Sequence, residues 1–188
     1  HTAAPSDPVA QRMYRAARPF CSHTFLTPMI AVAGSVADEI LTAICTAAQL
    51  RRAFVNNGGD IAVHLADTAT YTVAMAHPDG RPLGHIQFSA QDPMRGIATS
   101  GTQGRSHSFG IADSVTVLAP NAATADTAAT LIANAVDLPN HCEIERRPAD
   151  RDCRSVSVGR CGSRPDDRTR NVSRLRPVWC TIRVQRIV

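Results

Sequence analysis

Two apolar helical patterns bracket a run of short strand-like segments, and that order limits the fold of this chain more than anything else in it. From Met29 to Arg52, the residues Ile30, Ala33, Ala37, Ile40, Leu41 and Ile44 recur at intervals of three and four, the spacing of one buried helix face. Small residues on the same stretch (Ala31, Ala33, Gly34, Ser35, Ala37) allow another backbone or a ligand to come close, and Asp38 and Glu39 interrupt the apolar surface. Asn121, just after Pro120, is placed to cap a second helix running to about Val136. Between them, Phe54-Val55, Ile61–Leu65, Tyr71–Ala76, Leu83–Phe88, Gly96–Ser100 and Ser114–Leu118 read as strands, with His77-Pro78-Asp79-Gly80 as a hairpin turn. Helix, strands, helix predicts an α+β fold of antiparallel sheets with packed helices, not alternating βαβ units. A short helix is also expected at 8–17.

The chain has 188 residues, 44% of them hydrophobic and 19% charged, which is globular composition and enough for one domain with a core. The expected organisation is an N-terminal segment at 1–27, a domain at 28–148 and an Arg-rich tail at 149–188. All 20 basic residues are Arg, and their placement is uneven: residues 1–148 carry a balance of −2 and residues 149–188 one of +6. The tail has little periodicity, so it reads as disordered or out-of-frame sequence more readily than as a basic arm for nucleic acid. Its last stretch, 178–188, alternates apolar and polar residues and could form an edge strand. No run of residues is apolar throughout over the roughly 18 to 20 positions a bilayer demands, and there is no basic-then-apolar leader. No membrane partner is therefore expected, and a cytoplasmic location is the default. Cys21, Cys45, Cys142, Cys153, Cys161 and Cys180 show neither a CxxC pair nor zinc spacing, so free thiols are expected.

Three short motifs carry the chemistry. Asn57-Gly58-Gly59-Asp60 sits between two strand segments, where adjacent glycines can bring backbone amides close to a phosphate. An ordinary tight turn explains the same residues. Thr99-Ser100-Gly101, followed by Arg105, offers hydroxyls, amides and one fixed cation to an anion, or is simply a surface loop. Asp126 and Thr130 stand four residues apart on the second helix and so share a face. A carboxylate and a hydroxyl suit a hard ion such as Mg2+, which keeps its other positions for water and phosphate oxygens. His107, between the second and third motifs, is the one histidine placed to act as a base near them.

In this order the motifs resemble those of the ApbE-like superfamily of FAD:protein FMN transferases, and from Thr27 to about Pro139 the chain looks most like a short, uncharacterised cytoplasmic branch of it. The resemblance rests on Gly58-Gly59-Asp60, Thr99-Ser100-Gly101 and Ala125-Asp126 with Thr130, supported by Thr27-Pro28-Met29 and Arg95-Gly96-Ile97-Ala98. It implies a fold of paired T-fold-like halves that binds FAD, with Mg2+ held by Asp126 and Thr130. It also implies transfer of FMN to a Ser or Thr of an acceptor protein. A non-catalytic flavin or nucleotide binder is the other reading. Where the superfamily has His-x-x-Asp-Pro-x-Thr-Gly, this chain has His107-Ser108-Phe109-Gly110-Ile111-Ala112-Asp113.

Overall fold

The computed structural model describes residues 5–144 apart from 23, 78, 79, 105, 106 and 143. Arg105, the centre of the 77–80 turn, the tail and the possible strand at 178–188 lie outside the described residues. Among those described, the order is α1 (Pro8–Ala17), α2 (Val32–Ala47), β1 (Arg52–Asn57), β2 (Asp60–Leu65), β3 (Thr70–Ala76), β4 (Pro82–Ser89), β5 (Gly96–Ser100), β6 (Val115–Ala119) and α3 (Ala122–Ala135). The fold is α+β and every strand pair is antiparallel, as the sequence predicts. One sheet runs β1-β2-β5-β6 and a second is the β3–β4 hairpin.

The strand pleat sorts the first sheet into two faces. Ala62 of β2, Ala98 of β5, and Val115, Val117 and Ala119 of β6 turn towards α2 and α3. Val63, Leu65 and Ile97 turn the other way, onto Phe88 and Tyr71 of the hairpin. Two cores therefore sit on either side of one sheet, α2 lying over β1 and β2, and α3 over β5 and β6. The helix-side core is built largely of Ala and Val, so helices and sheet approach closely.

That closeness shapes α2. The expected helix from Met29 to Arg52 starts as a 3-10 turn at Pro28–Ala31 and stops at Ala47. Beyond it the chain joins the sheet: the Leu50 carbonyl contacts His64 Nε2 at 3.1 Å, and the Arg51 carbonyl accepts from the Ala66 N–H. The buried face also differs from expectation. Gly34, Ser35, Ala37, Asp38 and Leu41 are buried, whereas Ile40 and Ile44 are exposed. The small residues win the inner position because α3 crosses there: a Cβ on Gly34 would stand 2.3 Å from the Ala122 carbonyl oxygen. Only glycine fits such a crossing.

Asp38, an interruption in the sequence pattern, is buried and capping. Its carboxylate accepts the Ala122 N–H at 3.0 Å and the Ala123 N–H at 2.9 Å, the first two amides of α3. Asn121 takes the third, its side chain accepting from the Thr124 N–H at 2.8 Å. Helix starts leave such donors without intrahelical partners, and buried ones must find acceptors. α1 closes this flank, with Arg12 Nε 2.7 Å from a Glu39 carboxylate oxygen and Arg12 Nη2 donating to Thr42 Oγ1. The stretch Pro28–Ala47, taken whole, has the length and mean hydropathy (1.5) of a membrane span, and 33% of it is buried inside the fold. Cys21, Cys45 and Cys142 are free thiols, as expected.

Two substitutions read this architecture. Gly34→Ala should lower the urea midpoint, costing about 1–3 kcal/mol through overlap with Ala122. Ala is the better helix former by about 1 kcal/mol, so an unchanged or raised midpoint would exclude the close crossing. Asp38→Ala should cost about 1–3 kcal/mol by stranding two buried amides, read from the same curves.

Candidate functional site: a carboxylate pair at the helix starts

The β1–β2 turn is a two-residue hairpin, Asn57 pairing with Asp60 across Gly58 and Gly59. Both glycines have positive φ, 72° and 115°, the conformation of a type I′ turn. The sequence therefore places glycine here for the backbone first. Gly59 donates its N–H to Asn56 Oδ1 at 2.9 Å, and a Cβ added to it would meet nothing within 4 Å, so the turn opens outward. Asn57 points to the helix layer, its Nδ2 donating to the Ala33 carbonyl at 3.0 Å. This bond ties the turn to the start of α2.

Asp126, on the second turn of α3, reaches the same place. Its Oδ2 accepts the Gly34 N–H at 3.0 Å, and the Ala33 N–H also favours its charged form. Burial dominates these bonds and pushes its pKa up to about 6. Asp60 shares the helix-side face of the sheet with Ala62. Burial and, next, the Asp126 charge push its pKa up to about 7, against a hydrogen bond from the Thr99 N–H that lowers it. β2 begins at Asp60 and pairs with β5 only at Ile61–Ile97 and Ala62–Gly96. Past that point the Asp60 carboxylate takes the place of a ladder carbonyl for Thr99.

The structure thus brings together Asn57, Gly58, Gly59, Asp60, the Thr99 amide and Asp126. Thr130 follows one turn along α3 and is half-buried. Ser100 shares the helix side of β5 with Ala98. The Thr99 hydroxyl does not: it bonds Thr116 Oγ1 at 2.9 Å on the opposite face. Gly101 begins a loop whose amides are engaged, Thr102 donating to Ala112, Gln103 to Asp113 and Gly104 to Gly101. His107 is exposed, and the residues after it are fastened to the far end of α3. The Phe109 N–H donates to Asn134 Oδ1 at 2.9 Å, and the Ile111 N–H to the Val136 carbonyl at 2.8 Å. Asn134 is eight residues beyond Asp126, roughly 12 Å along the axis at 1.5 Å per residue. The loop after His107 is thus tied to the end of α3 away from Asp126.

Pairing of Asp60 with Asp126 is the feature that the linear sequence conceals, since 66 positions separate them. The signal available was the stretch of small residues at Ala33-Gly34, which admits the Asp126 carboxylate. Two shallow hollows on the described surface, lined by Arg51, Arg52 and Thr68–Thr70 and by Arg52, Ala53, Phe54 and Tyr71, lie at the opposite end of the β1–β2 hairpin. Among the described residues no group of three or more His, Cys, Asp or Glu gathers around one point. A cation here would rest on two carboxylates and on neutral oxygens.

Comparison with known proteins places these residues in a wider set. The chain is 39% identical over 127 residues to a UPF0280 protein of Methanopyrus kandleri, covering 67% of this chain and 48% of that one. It is 40% identical over 115 residues to a UPF0280 protein of Methanothermobacter thermautotrophicus, covering 60% and 44%. A third, from Methanobrevibacter smithii, is 35% identical over 127 residues, covering 67% and 51%. The chain spans about half the length of these relatives. The family described as AbpE bacteria matches residues 1–161, the whole carboxylate site included, and the chain belongs to that family.

Proposed function

We propose that the Asp60–Asp126 pair holds a Mg2+ ion and, through it, the phosphates of FAD or a related nucleotide. The observation that carries this reading is that two half-buried carboxylates lie near enough for the Asp126 charge to act on Asp60, each held above the ordinary carboxylate range by burial. A divalent cation relieves both costs, and oxygen donors of this kind suit a hard ion. The donor set fits, with Thr130 and Ser100 as neutral oxygens on the same side. Bound there, Mg2+ would neutralise phosphate charge and polarise a phosphoryl oxygen.

The amides explain why the ion is needed. Helix starts and glycine loops commonly bind phosphate directly. Here Ala33 and Gly34 serve Asp126, Gly59 serves Asn56, and Thr102, Gln103 and Gly104 serve their own loop. A phosphate approaching two carboxylates is repelled unless a cation bridges them. Asn57, Gly58, Gly59, Asp60, Thr99, Ser100, Gly101 and Arg105 remain the proposed nucleotide-facing set. Thr99 would contribute indirectly, its amide holding the Asp60 carboxylate.

Transfer of FMN to an acceptor protein's Ser or Thr is the proposed activity if the site is catalytic. Binding without transfer is the second reading, and it is favoured by the anchoring of the loop after His107 at the far end of α3. A cytoplasmic location belongs to the same proposal.

Titration calorimetry with FAD tests it. Binding should require Mg2+, weakening at least tenfold with chelator, a loss of about 1.4 kcal/mol or more. Asp126→Asn should remove the Mg2+ dependence while still accepting the Gly34 N–H, and His107→Ala should leave affinity unchanged. FAD binding that is equally tight with and without Mg2+ would reject the cation site. Chromatography for AMP after incubation with FAD and Mg2+ separates an enzyme, which releases it, from a binder.

The same carboxylates set a pH dependence. Asp60 ionises near pH 3.9 when unfolded and near 7 when folded. The folded state therefore binds the extra proton between those values, and stability falls as pH rises from about 4 to about 7. Asp60→Asn should flatten this slope and raise the melting temperature at pH 8 above that of the unsubstituted chain in chelator. Added Mg2+ should stabilise the unsubstituted chain more at pH 8 than at pH 5. Equal stabilisation at both would detach the ion from these groups.

A further inference from the structure

We propose that Asn57 is a positioning residue that sets the separation of Asp60 and Asp126, and with it the preference of the site for Mg2+ over a larger cation; this rests on the Mg2+ reading above. The carboxylates' own bonds do not fix that separation. Asp60 takes its amide from Thr99 of β5, and Asp126 takes the Gly34 N–H of α2. What relates the two is the join of the β1–β2 hairpin to α2. Apolar packing makes most of that join, Ala37 and Leu41 meeting Ala62, Ala53 and Val55. Such packing is non-directional and does not set a register. Among the described residues the hairpin and α2 share one hydrogen bond, from Asn57 Nδ2 to the Ala33 carbonyl at 3.0 Å.

That bond meets a peptide already in use. The Ala33 carbonyl and the Gly34 N–H belong to the same peptide unit, which is planar, trans and stiff. Asn57 donates to its oxygen and Asp126 accepts from its nitrogen, at 3.0 Å on either side. Donation to a carbonyl polarises the N–H of the same unit, so the two bonds support each other. Across the hairpin, Asn57 stands directly opposite Asp60 in the register that closes the turn. The route from one carboxylate to the other is therefore short: Asp60, its strand partner Asn57, one peptide plane, Asp126.

The turn itself does not call for asparagine at 57. Its positive φ values fall on Gly58 and Gly59, and strands disfavour asparagine. Ala53 and Val55, which share the helix side of β1 with it, are apolar. Asparagine supplies a neutral donor of the right reach. Aspartate would set a third negative charge against the Ala33 carbonyl, and alanine would leave the peptide plane held from one side only. Spacing matters most to a small ion. Mg2+ demands near-octahedral oxygens at about 2.0–2.1 Å, whereas Ca2+ accepts flexible arrangements at about 2.3–2.6 Å. Two carboxylates held at a fixed separation can favour Mg2+, and once loosened they lose Mg2+ first.

Two measurements on the full chain test this. Electron paramagnetic resonance of Mn2+, with Mg2+ or Ca2+ as competitor, gives the ratio of the two affinities. Asn57→Ala should weaken Mg2+ by roughly tenfold or more and Ca2+ by less than about threefold. Asn56→Ala removes the acceptor of the Gly59 N–H but not the join to α2, and should leave the ratio unchanged. Asn57→Ser, whose hydroxyl stops short of Ala33, takes over should Asn57→Ala misfold by circular dichroism. Equal loss of both ions, as a direct ligand or a merely structural residue would give, overturns the proposal. The second measurement needs no metal. In chelator, the urea midpoint lost by Asn57→Ala and Asp126→Ala together should be smaller than the sum of the single losses, because the two side chains share one peptide. Asn56→Ala with Asp126→Ala should be additive, and additivity in the Asn57 pair would overturn the positioning. If the chain binds none of the three ions, the Mg2+ reading falls and the ion preference with it; non-additive midpoints then uphold the positioning alone.

Discussion

Everything on the helix side of the sheet depends on an exchange of carboxylates between α2 and α3. Asp38 of α2 caps the first two amides of α3, and Asp126 of α3 accepts from the third amide of α2. Each helix start carries a partial positive charge, so each carboxylate is held by dipole and hydrogen bond together. The exchange requires both helix starts to lie side by side, and that in turn requires Gly34, because no side chain fits beneath Ala122. The two acids are not equivalent in consequence. Asp38 is buried and occupied by Ala122 and Ala123, whereas the charge of Asp126 also acts on Asp60.

That asymmetry separates scaffold from site. Helix-start amides hold both carboxylates, but Asp38 is buried and Asp126 half-buried, and only the charge of Asp126 acts on another acid. Asp126 is where a structural cap and a candidate ligand coincide, and removing its side chain entirely would disturb both at once. Asp60 is the opposite case, since its negative charge is unfavourable to the apo fold and its hydrogen bond from Thr99 offsets only part of that cost. A group retained against its own burial, at an open glycine turn, is the pattern expected of a functional carboxylate.

Much of the fold was legible because it follows local pattern. α1 begins at Pro8 behind the Asp7 cap, β5 is Gly96–Ser100, and Asn121 caps α3. The misreadings arise where tertiary contact overrides period. Ile40 and Ile44 fit a helical face as well as Gly34 and Asp38 do, and only the proximity of α3 decides that the small residues go inward. Thr99 and Ser100 look alike in sequence, but the pleat sends one hydroxyl to each face of the sheet. The amides of the 101–104 loop are adjacent to an anion motif, and they are spent on Ala112, Asp113 and Gly101. The Asp60–Asp126 pairing is invisible locally, because it follows from β2 and α3 sharing one end of the molecule.

The chain spans about half the length of the relatives it matches, yet Gly34, Asn57, Asp60, Thr99 and Asp126 all fall inside the family match. The hydrogen bonds of the carboxylate pair are all made within residues 33–130. Among the described residues, what stays uncovered is different in kind, a sheet edge and an apolar helix flank on the far side of α2 from α3. Site and uncovered surface share α2, whose start holds Asp126 and whose outer stripe faces away.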